Sequence, residues 1–455
     1  MTGNAQPDGI PPDDDRLAEI RQSTAFPSPR AFPAEIDSRR TRDRRGRSNM
    51  TSDEIERIVD YLQRERPGMV ELLRRLALAE SPSDDRAAAA GVLDILESEF
   101  GQSGMSLRRL RGRESAGMLY ARPRERDRTL PRQLLIGHCD TVWPVGTVSW
   151  MPVRVEGDAL QGPGVFDMKG GLVQMIFALR ALQAFGFRPP AESVVLINTD
   201  EEIGSPDSTP LIRRLAGRAA RAFVLEPAFG RSGKLKTARK ASGGFTITVK
   251  GRAAHAGLNP EEGASAILEM SHQVQRLFAL NDAARGITVN VGTIDGGLRS
   301  NVVAPEVRAS VDARVRTRAD AAAVVAAIRG LRPVNPRTTI QVEGGIEQAP
   351  MEALPRNQAL WRLASQLGQR LGLELDQAEV GGASDGNTTS QYTATLDGLG
   401  AVGDGAHSDH EHVLISRMVE RCALLVLLLL APLTRDGRDA GGPGRSGAMP
   451  TTEQP

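Results

Sequence analysis

The sequence contains little cysteine, few aromatic residues and almost no net charge. Its 455 residues include two cysteines, Cys139 and Cys422, which excludes a small domain held together by several disulfides. The formal net charge of +1 argues against a nucleic acid or an anionic membrane surface as partner. Because aromatic residues make up 4% and hydrophobic residues 40%, the core must consist mainly of Leu, Val, Ile and Ala. The length predicts two domains.

Long hydrophobic segments are also missing. The most hydrophobic run, residues 422–433, is too short to span a bilayer and follows helix-forming residues, so it predicts a buried core helix. The N-terminus has no apolar core of the kind that a signal peptide needs. The sequence therefore predicts a cytoplasmic protein without a membrane partner.

The two ends of the chain have the composition of disordered segments. Residues 1–50 are rich in Pro, Asp, Arg and Ser, and residues 435–455 are polar and Gly-rich, so we predict a disordered N-terminal extension and a disordered tail. The basic cluster at residues 39–47 is either a solvated tail, which we favour, or an arm for nucleic acid. Met50 has a better context for a translation start than Met1.

Between these ends, the first half of the chain alternates helical and strand patterns. Residues 52–78 predict two helices that separate at Pro67. Residues 134–136, 193–199 and 221–225 are apolar, β-branched runs typical of buried strands. Strands that alternate with helices predict an α/β fold, a mostly parallel sheet with helices on both faces.

The pattern changes after Glu226, where strands with one wet face are expected. These alternating strands are at residues 245–250, 288–295, 306–315 and 338–343, and amphipathic helices are at residues 263–280 and 320–331. The order β-α-β-β-α-β is the ferredoxin-like pattern. We therefore expect an inserted α+β module, after which the α/β sheet resumes near Gly345.

Acidic residues and histidines follow the predicted strands of the α/β sheet or lie in its loops. They are His138, Asp140, Asp167, Asp200, Glu201, Glu202, Glu226 and His407. Ligand sites in such sheets form at the carboxyl ends of the strands. Two imidazoles with three or four carboxylates suit two zinc ions, whereas calcium does not favour imidazole.

The spacing of His138 and Asp140 places both side chains on one face of an extended strand. A carboxylate in that position can fix the imidazole tautomer that binds a metal. Cys139 lies between them and points to the opposite face, so we do not expect it to be a ligand.

The motifs between residues 52 and 433 resemble the M20 family of dizinc metallopeptidases, and within it the glutamate carboxypeptidase branch. They are His138-x-Asp140, Asp167-Met168-Lys169-Gly170-Gly171, Asp200-Glu201-Glu202-Ile203-Gly204, Glu226-Pro227 and His407-Ser408. The resemblance implies two Zn²⁺ per subunit, with Co²⁺ or Mn²⁺ as alternatives. It implies that His138 and Glu226 bind one ion. Glu202 and His407 would bind the other, and Asp167 would bridge the two.

The resemblance also implies the catalytic groups. Glu201 would be the general base, which takes a proton from water and passes it to the leaving amine. Asp140 would orient the first histidine ligand. We prefer His407 to the nearby His410 and His412 because His407-Ser408 matches the family motif.

In the family the inserted module is a lid that carries the dimer contact, so the resemblance implies a homodimer formed through the lid. His255 would reach the active site of the partner subunit. The implied substrate-binding residues are Asn301, Arg314, Lys234, Arg239 and Gly382. The corresponding domain boundaries are 51–238 and 346–434 for the catalytic domain, and 239–345 for the lid.

Three functions follow from the resemblance, each with a small-molecule ligand. The first is a carboxypeptidase that releases a C-terminal amino acid, with glutamate as one candidate. The second is a deacylase of N-acyl amino acids, of the acetylornithine or succinyl-diaminopimelate type. The third is a catalytically silent binding protein that holds metal, and the intact Glu201 argues against it. Many relatives have an Arg where this chain has Gln348, which weakens the case for glutamate.

Overall fold

The computed structural model describes residues 50–433. The predictions for the extension at residues 1–50, for the basic cluster at 39–47 and for the tail at 435–455 concern segments that, Met50 apart, lie outside the described residues.

The helices and strands of the described chain alternate through most of its length. The α-helices are α1 Ser52–Leu78, α2 Arg86–Gln102, α3 Gly170–Ala184, α4 Thr209–Ala216, α5 Ala266–Phe278, α6 Arg318–Arg329, α7 Pro355–Arg370, α8 Asp385–Thr389 and α9 Ile415–Leu430. The strands are β1 Met105–Leu110, β2 Met118–Pro123, β3 Arg132–His138, β4 Arg154–Glu156, β5 Ala159–Gln161, β6 Glu192–Asn198, β7 Ala219–Val224, β8 Leu235–Arg239, β9 Ala241–Lys250, β10 Thr288–Gly296, β11 Glu306–Val315, β12 Thr339–Gln348, β13 Gln377–Val380, β14 Ala394–Leu396, β15 Gly403–Asp404 and β16 His412–Leu414.

The largest sheet has six strands in the order β1-β2-β6-β3-β7-β14. Strands β6, β3, β7 and β14 run parallel, whereas β1 and β2 form an antiparallel edge beside β6. The sheet is therefore mixed, with the predicted parallel arrangement at its centre. Parallel alignment brings the carboxyl ends of β6, β3 and β7 to the same edge.

Helices cover both faces of this sheet. Alternate residues of β3 belong to different hydrophobic clusters: Leu135 packs with the buried residues of α1, α3 and α9, while Leu134 and Ile136 pack with α4. Because successive strand side chains point to opposite faces, this division assigns one cluster to each face. The predicted α/β fold class is confirmed.

The predicted helix break at Pro67 is wrong, since α1 is continuous from Ser52 to Leu78. A capping box between Thr51 and Glu54 fixes its start. Pro67 removes one backbone hydrogen bond, but the helix buries an apolar stripe on both sides of it, including Leu62 and Met69. Packing of that stripe against the core outweighs the local effect of the proline.

The hydrophobic run near the C-terminus forms α9, a core helix as predicted, with twelve buried residues. Within residues 50–433, no helix has the length and apolar character needed to cross a membrane. The cytoplasmic location stays a prediction.

Residues 241–348 form a second, antiparallel sheet in the order β10-β11-β9-β12, with α5 and α6 packed against it. Its buried residues, such as Phe245, Met270 and Ile328, form a hydrophobic cluster separate from those of the six-stranded sheet. The connectivity is the predicted β-α-β-β-α-β.

Candidate active site

The strand ends of the six-stranded sheet place acidic and imidazole groups together. His138 is the last residue of β3, and its backbone pairs with Asn198 at the end of β6. Glu201 and Glu202 follow β6, and Glu226 follows β7. Since β3 lies between β6 and β7, the three loops meet at one edge of the sheet.

Asp167 occupies the centre of this cluster. Its Oδ1 lies 3.4 Å from Nε2 of His138, and its Oδ2 lies 3.6 Å from Nε2 of His407. Nε2 of His138 is also 3.3 Å from Oε1 of Glu226, and Nε2 of His407 is 3.2 Å from Oε2 of Glu202. One carboxylate therefore spans two histidines, each of which has a carboxylate of its own.

The cluster fits divalent metal ions. Nε2 of His138 and Oδ1 of Asp167 are buried and have no hydrogen-bond partner within residues 50–433, which is unusual for buried polar atoms. Ligand atoms of His138, Asp167 and Glu202 lie within 4.8 Å of one another, as do those of His138, Glu201 and Glu226. Imidazole and carboxylate groups in this combination suit zinc and similar ions.

Crowding of charge shifts the pKa values in the cluster. Burial raises the pKa of Glu201 well above its ordinary value, and the carboxylates of Glu226 and Glu202 add to the shift. Burial would lower the pKa of His138, but the nearby carboxylates of Asp140, Asp167 and Glu226 raise it well above its ordinary value. The hydrogen bond with Glu202 raises the pKa of His407 to about 9. The raised pKa of Glu201 reflects buried negative charge around it, which a bound cation would compensate.

Asp140 is fully buried and acts as a hub for the neighbouring loops. Its carboxylate accepts hydrogen bonds from Oγ of Ser83 (2.7 Å) and from the backbone N–H groups of Glu201 (3.3 Å) and Glu202 (3.1 Å). Its Oδ1 also lies 3.4 Å from Nδ1 of His138. These contacts fix the imidazole together with the acidic turn after β6.

The flanking residues of the motifs also have clear positions. Cys139 is buried between the two polar residues of its motif, and both cysteines are free thiols. Burial raises the pKa of Cys139 to about 12. His407 has a left-handed backbone with φ of 60°, an uncommon conformation for a residue with a side chain and one that is concentrated at functional sites.

Arg239 and Gly382 form part of the support of the cluster. Arg239 is buried, and its guanidinium donates to Oδ2 of Asp397 at 2.6 Å and to Oε2 of Glu226 at 3.1 Å. It also donates to the carbonyl of Gly382 at 3.0 Å. The charge of Arg239 is thus already paired with two carboxylates of the protein, whereas a substrate-binding cation needs its charge for the substrate. Lys234 is half-buried, and its ammonium lies 2.6 Å from the carboxylate of Asp376.

The remaining predicted residues belong to the second sheet and its loops. His255 and Asn301 are exposed and lie on neighbouring loop segments, where the backbone of His255 pairs with Val302. Arg314 of β11 is half-buried and forms an ion pair with Asp312. Their proposed contacts with substrate stay predictions.

Sequence reasoning missed Asp385, which begins the short helix α8. Its buried carboxylate accepts hydrogen bonds from Nδ2 of Asn198 (2.8 Å) and Oγ of Ser205 (2.6 Å), the residues that bracket the acidic turn. Burial raises the pKa of Asp385 to about 7. The turn-rich segment around Asp385 was visible in the sequence, but its partners lie some 180 residues earlier in the chain.

The sequence is similar to those of known proteins. Residues 134–431 match the model described as peptidase family M20/M25/M40. Carboxypeptidase G2 of Pseudomonas sp. (strain RS-16) is 29% identical over 377 residues, 80% of this chain and 89% of that protein. Acetylornithine deacetylase of Myxococcus xanthus is 31% identical over 184 residues, 37% of this chain and 46% of that protein.

Solved structures share the fold. YxeP of Bacillus subtilis, described as a dinuclear metal-binding peptidase of the M20 family, matches with a TM-score of 0.62 at 11% identity. The match covers 81% of this chain and 98% of YxeP.

The fold and these matches define a hydrolase with an α/β fold, of the metallopeptidase and amidohydrolase class. The chain belongs to peptidase family M20/M25/M40. The predicted family and enzyme class are confirmed.

Proposed function

We propose that this chain is a zinc-dependent hydrolase that cleaves an amide bond next to a free carboxylate and releases a C-terminal amino acid. The observation that carries the proposal is the position of Asp167 between His138 and His407, with buried polar atoms left unpaired. The similarity to carboxypeptidase G2 over most of both chains supports the choice of reaction.

The proposed ligand sets are those that the family resemblance implies, and the distances given above are compatible with them. His138 and Glu226 would hold one metal ion and Glu202 and His407 the other, with Asp167 close to both histidines. Two zinc ions bound in this way act as Lewis acids and increase the acidity of a water molecule. Each set would offer one imidazole and two carboxylates, a donor combination that suits catalytic zinc.

Glu201 is the proposed general base. Its Oε2 is 3.9 Å from Nε2 of His138, so it lies beside the proposed ligands. Its raised pKa suits a group that accepts a proton from water and then donates it to the leaving amine. Asp140 holds both this residue and its neighbour through their backbone N–H groups.

A second candidate is deacylation of an N-acyl amino acid, which the similarity to acetylornithine deacetylase favours. Both reactions hydrolyse an amide and liberate an amine, so the same ligands and base serve either one. The two differ in which half of the substrate the loops must recognise.

We also propose that the second-sheet module, predicted at residues 239–345 and formed by residues 241–348, is a lid through which two chains form a homodimer. Strand β10 is an edge of its sheet, and unpaired strand edges are sites for pairing with another chain. Several large apolar side chains of this module are more than half exposed, namely Leu258, Ile267, Leu268, Ile294 and Leu298. A partner copy would cover them.

A substrate panel tests the proposal. Zinc-loaded enzyme is offered N-acyl amino acids and dipeptides, each with a free and with an amidated C-terminus, and the released amino acid is measured. A carboxypeptidase cleaves the substrates with a free C-terminus and releases the terminal residue. Preference for small acyl groups regardless of the amino acid favours the deacylase. Binding of these compounds without turnover in zinc-replete enzyme would show a silent binding protein.

A further inference from the structure

Glu411 is a buried carboxylate whose oxygens are all used by N–H donors from other loops. It is 1% exposed. Its Oε1 accepts from the backbone N–H groups of Phe166 (2.9 Å) and Asp167 (3.0 Å). Its Oε2 accepts from the backbone N–H of Gly164 (2.9 Å) and from Nε1 of Trp143 (2.9 Å).

These four donors come from two of the loops that build the candidate active site. Trp143 lies three residues after Asp140, and the other donors are Asp167 itself and its neighbours. Glu411 comes four residues after His407, in the loop between β15 and β16. A single side chain therefore joins the His138 loop, the Asp167 loop and the His407 loop.

The backbone reinforces this junction. The N–H of Gly162 donates to the carbonyl of Glu411 at 3.2 Å, and β16 pairs with β5 beginning at His412 and Gln161. Gly164 has a left-handed backbone with φ of 70°, so the N–H groups that follow it do not continue a regular pattern of strand hydrogen bonds. Without Glu411 these buried N–H groups would have no acceptor at this position, which proteins avoid.

We propose that Glu411 is a positioning residue that sets the place and orientation of Asp167 relative to both histidines. Its carboxylate holds the backbone N–H of Asp167, and its own loop carries His407. The proposal rests on the proposed function only in that Asp167 is there the ligand shared by two metal ions. The organisation of the loop is a property of the chain itself.

Glu411→Gln is the primary test. Glutamine keeps the size of the side chain, but its amide nitrogen cannot accept, so part of the donor set loses its partner. In the metal-free chain, amide hydrogen exchange across residues 160–170 should become faster than in wild type, while exchange in β3 stays the same. Titration with zinc alone should give an affinity ~10–100-fold weaker, the usual effect of removing a group that orients metal ligands.

Glu269→Gln is the matched control. Glu269 is also 1% exposed and accepts from the backbone N–H groups of Val334 and Asn335, but it lies in the second sheet module. It should leave zinc affinity and exchange at residues 160–170 at wild-type values. If this control changed zinc affinity and amide exchange as much as Glu411→Gln does, the Glu411 effect would reflect general destabilisation. That result would overturn the proposal.

Trp143→Phe covers the case in which Glu411→Gln does not fold. It removes one of the four donors and keeps the carboxylate, so exchange at residues 160–170 should rise and zinc affinity should fall by a smaller factor. Unchanged exchange and affinity in the folded variants would overturn the proposal. If the wild-type enzyme cleaved none of the amide substrates, the proposed function would be wrong. Amide exchange in the metal-free chain would still test the role of Glu411, because it does not depend on turnover.

Discussion

Nη2 of Arg239 donates a 3.1 Å hydrogen bond to Oε2 of Glu226, whose other carboxylate oxygen lies 3.3 Å from Nε2 of His138. The same guanidinium uses its Nε to hold Asp397. Arg239 thus orients the candidate metal ligand Glu226 through the carboxylate oxygen that does not approach His138. This arrangement favours a role for Arg239 in positioning Glu226, whereas the sequence predicts that Arg239 binds substrate. The two roles can be separated by experiment.

Arg239→Lys should weaken zinc binding. Lysine keeps the charge but lacks the planar fork that reaches Glu226, Asp397 and the Gly382 carbonyl together. We expect the Kd for zinc to rise ~10–100-fold, measured by titration of the metal-free chain. At saturating zinc, KM for the best substrate should stay near the wild-type value.

Arg221→Lys is the control for this variant, since Arg221 is also a buried arginine, near the start of β7. Its acceptors within residues 50–433 are neutral, among them Gln133 and Ala431. It should lower stability without changing the zinc Kd. If Arg239→Lys instead raises KM at an unchanged zinc Kd, then Arg239 binds substrate.

Glu201→Gln should separate catalysis from metal binding. The change keeps the size of the side chain and removes its ability to accept a proton, so kcat should fall ~10²–10⁴-fold. Metal content, measured on the purified chain, should stay at the wild-type level. Glu192→Gln, at the opposite end of β6, is a control that should leave kcat near normal. Near-normal turnover by a metal-loaded Glu201→Gln chain would mean that another group is the base.

Sequence motifs located the candidate site because ligand residues follow strand ends, and strand order brings those ends together. His138, Glu202 and Glu226 are examples, since each follows a buried apolar run that is easy to read. Asp140 was found in the same way, but other supporting groups could not be. Asp397 lies 158 residues from Arg239, and Glu411 lies 244 residues from Asp167.

The helical break at Pro67 shows the converse failure. Proline does remove a backbone hydrogen bond, as the local rule states. The free-energy cost is outweighed by packing against distant parts of the chain, which a short stretch of sequence does not reveal. Residues on either side of Pro67 bury into the same core, so the helix continues.

Removal of metal should abolish hydrolysis and lower the unfolding temperature. A metal that binds only the folded chain stabilises it, and the acidic groups around Asp167 repel one another without it. Metal analysis should find up to two zinc-like ions per chain before chelation. Zinc should restore turnover and the unfolding temperature, whereas calcium should not, because His138 and His407 are poor calcium ligands. Undiminished turnover by metal-free enzyme would contradict the dizinc proposal.

We expect the titration of Asp385 to lower the free energy of unfolding as the pH rises. Its pKa is raised from 3.8 to about 7 in the folded state, so between these values the folded chain binds a proton that the unfolded chain has released. Stability then falls with increasing pH across this window, by up to about 1.4 kcal/mol per pH unit. Asp385→Asn does not titrate, so the unfolding free energy of metal-free wild type should decline relative to that of the variant from about pH 4 to about pH 7.

Asp207→Asn is the control with the opposite sign. Burial opposes the shift, but hydrogen bonds from Ser115, Glu114 and Arg113 lower the pKa of Asp207 below its ordinary value. Its contribution is therefore complete above the unfolded pKa and is lost only in acid. The difference between wild type and this variant should stay constant over the window in which Asp385 titrates. A constant difference for Asp385→Asn as well would contradict its raised pKa.

His255 should act across a dimer interface if the lid pairs two chains. A His255→Ala chain and a Glu201→Gln chain would then each be inactive alone. In a co-expressed heterodimer, two-fold symmetry gives one active site with both residues intact and one with neither, so activity should approach about half of the wild-type level per dimer. Differently tagged chains allow the heterodimer to be isolated and its composition checked before assay. A verified heterodimer that stays inactive excludes action in trans, and a fully active His255→Ala chain removes His255 from the catalytic mechanism.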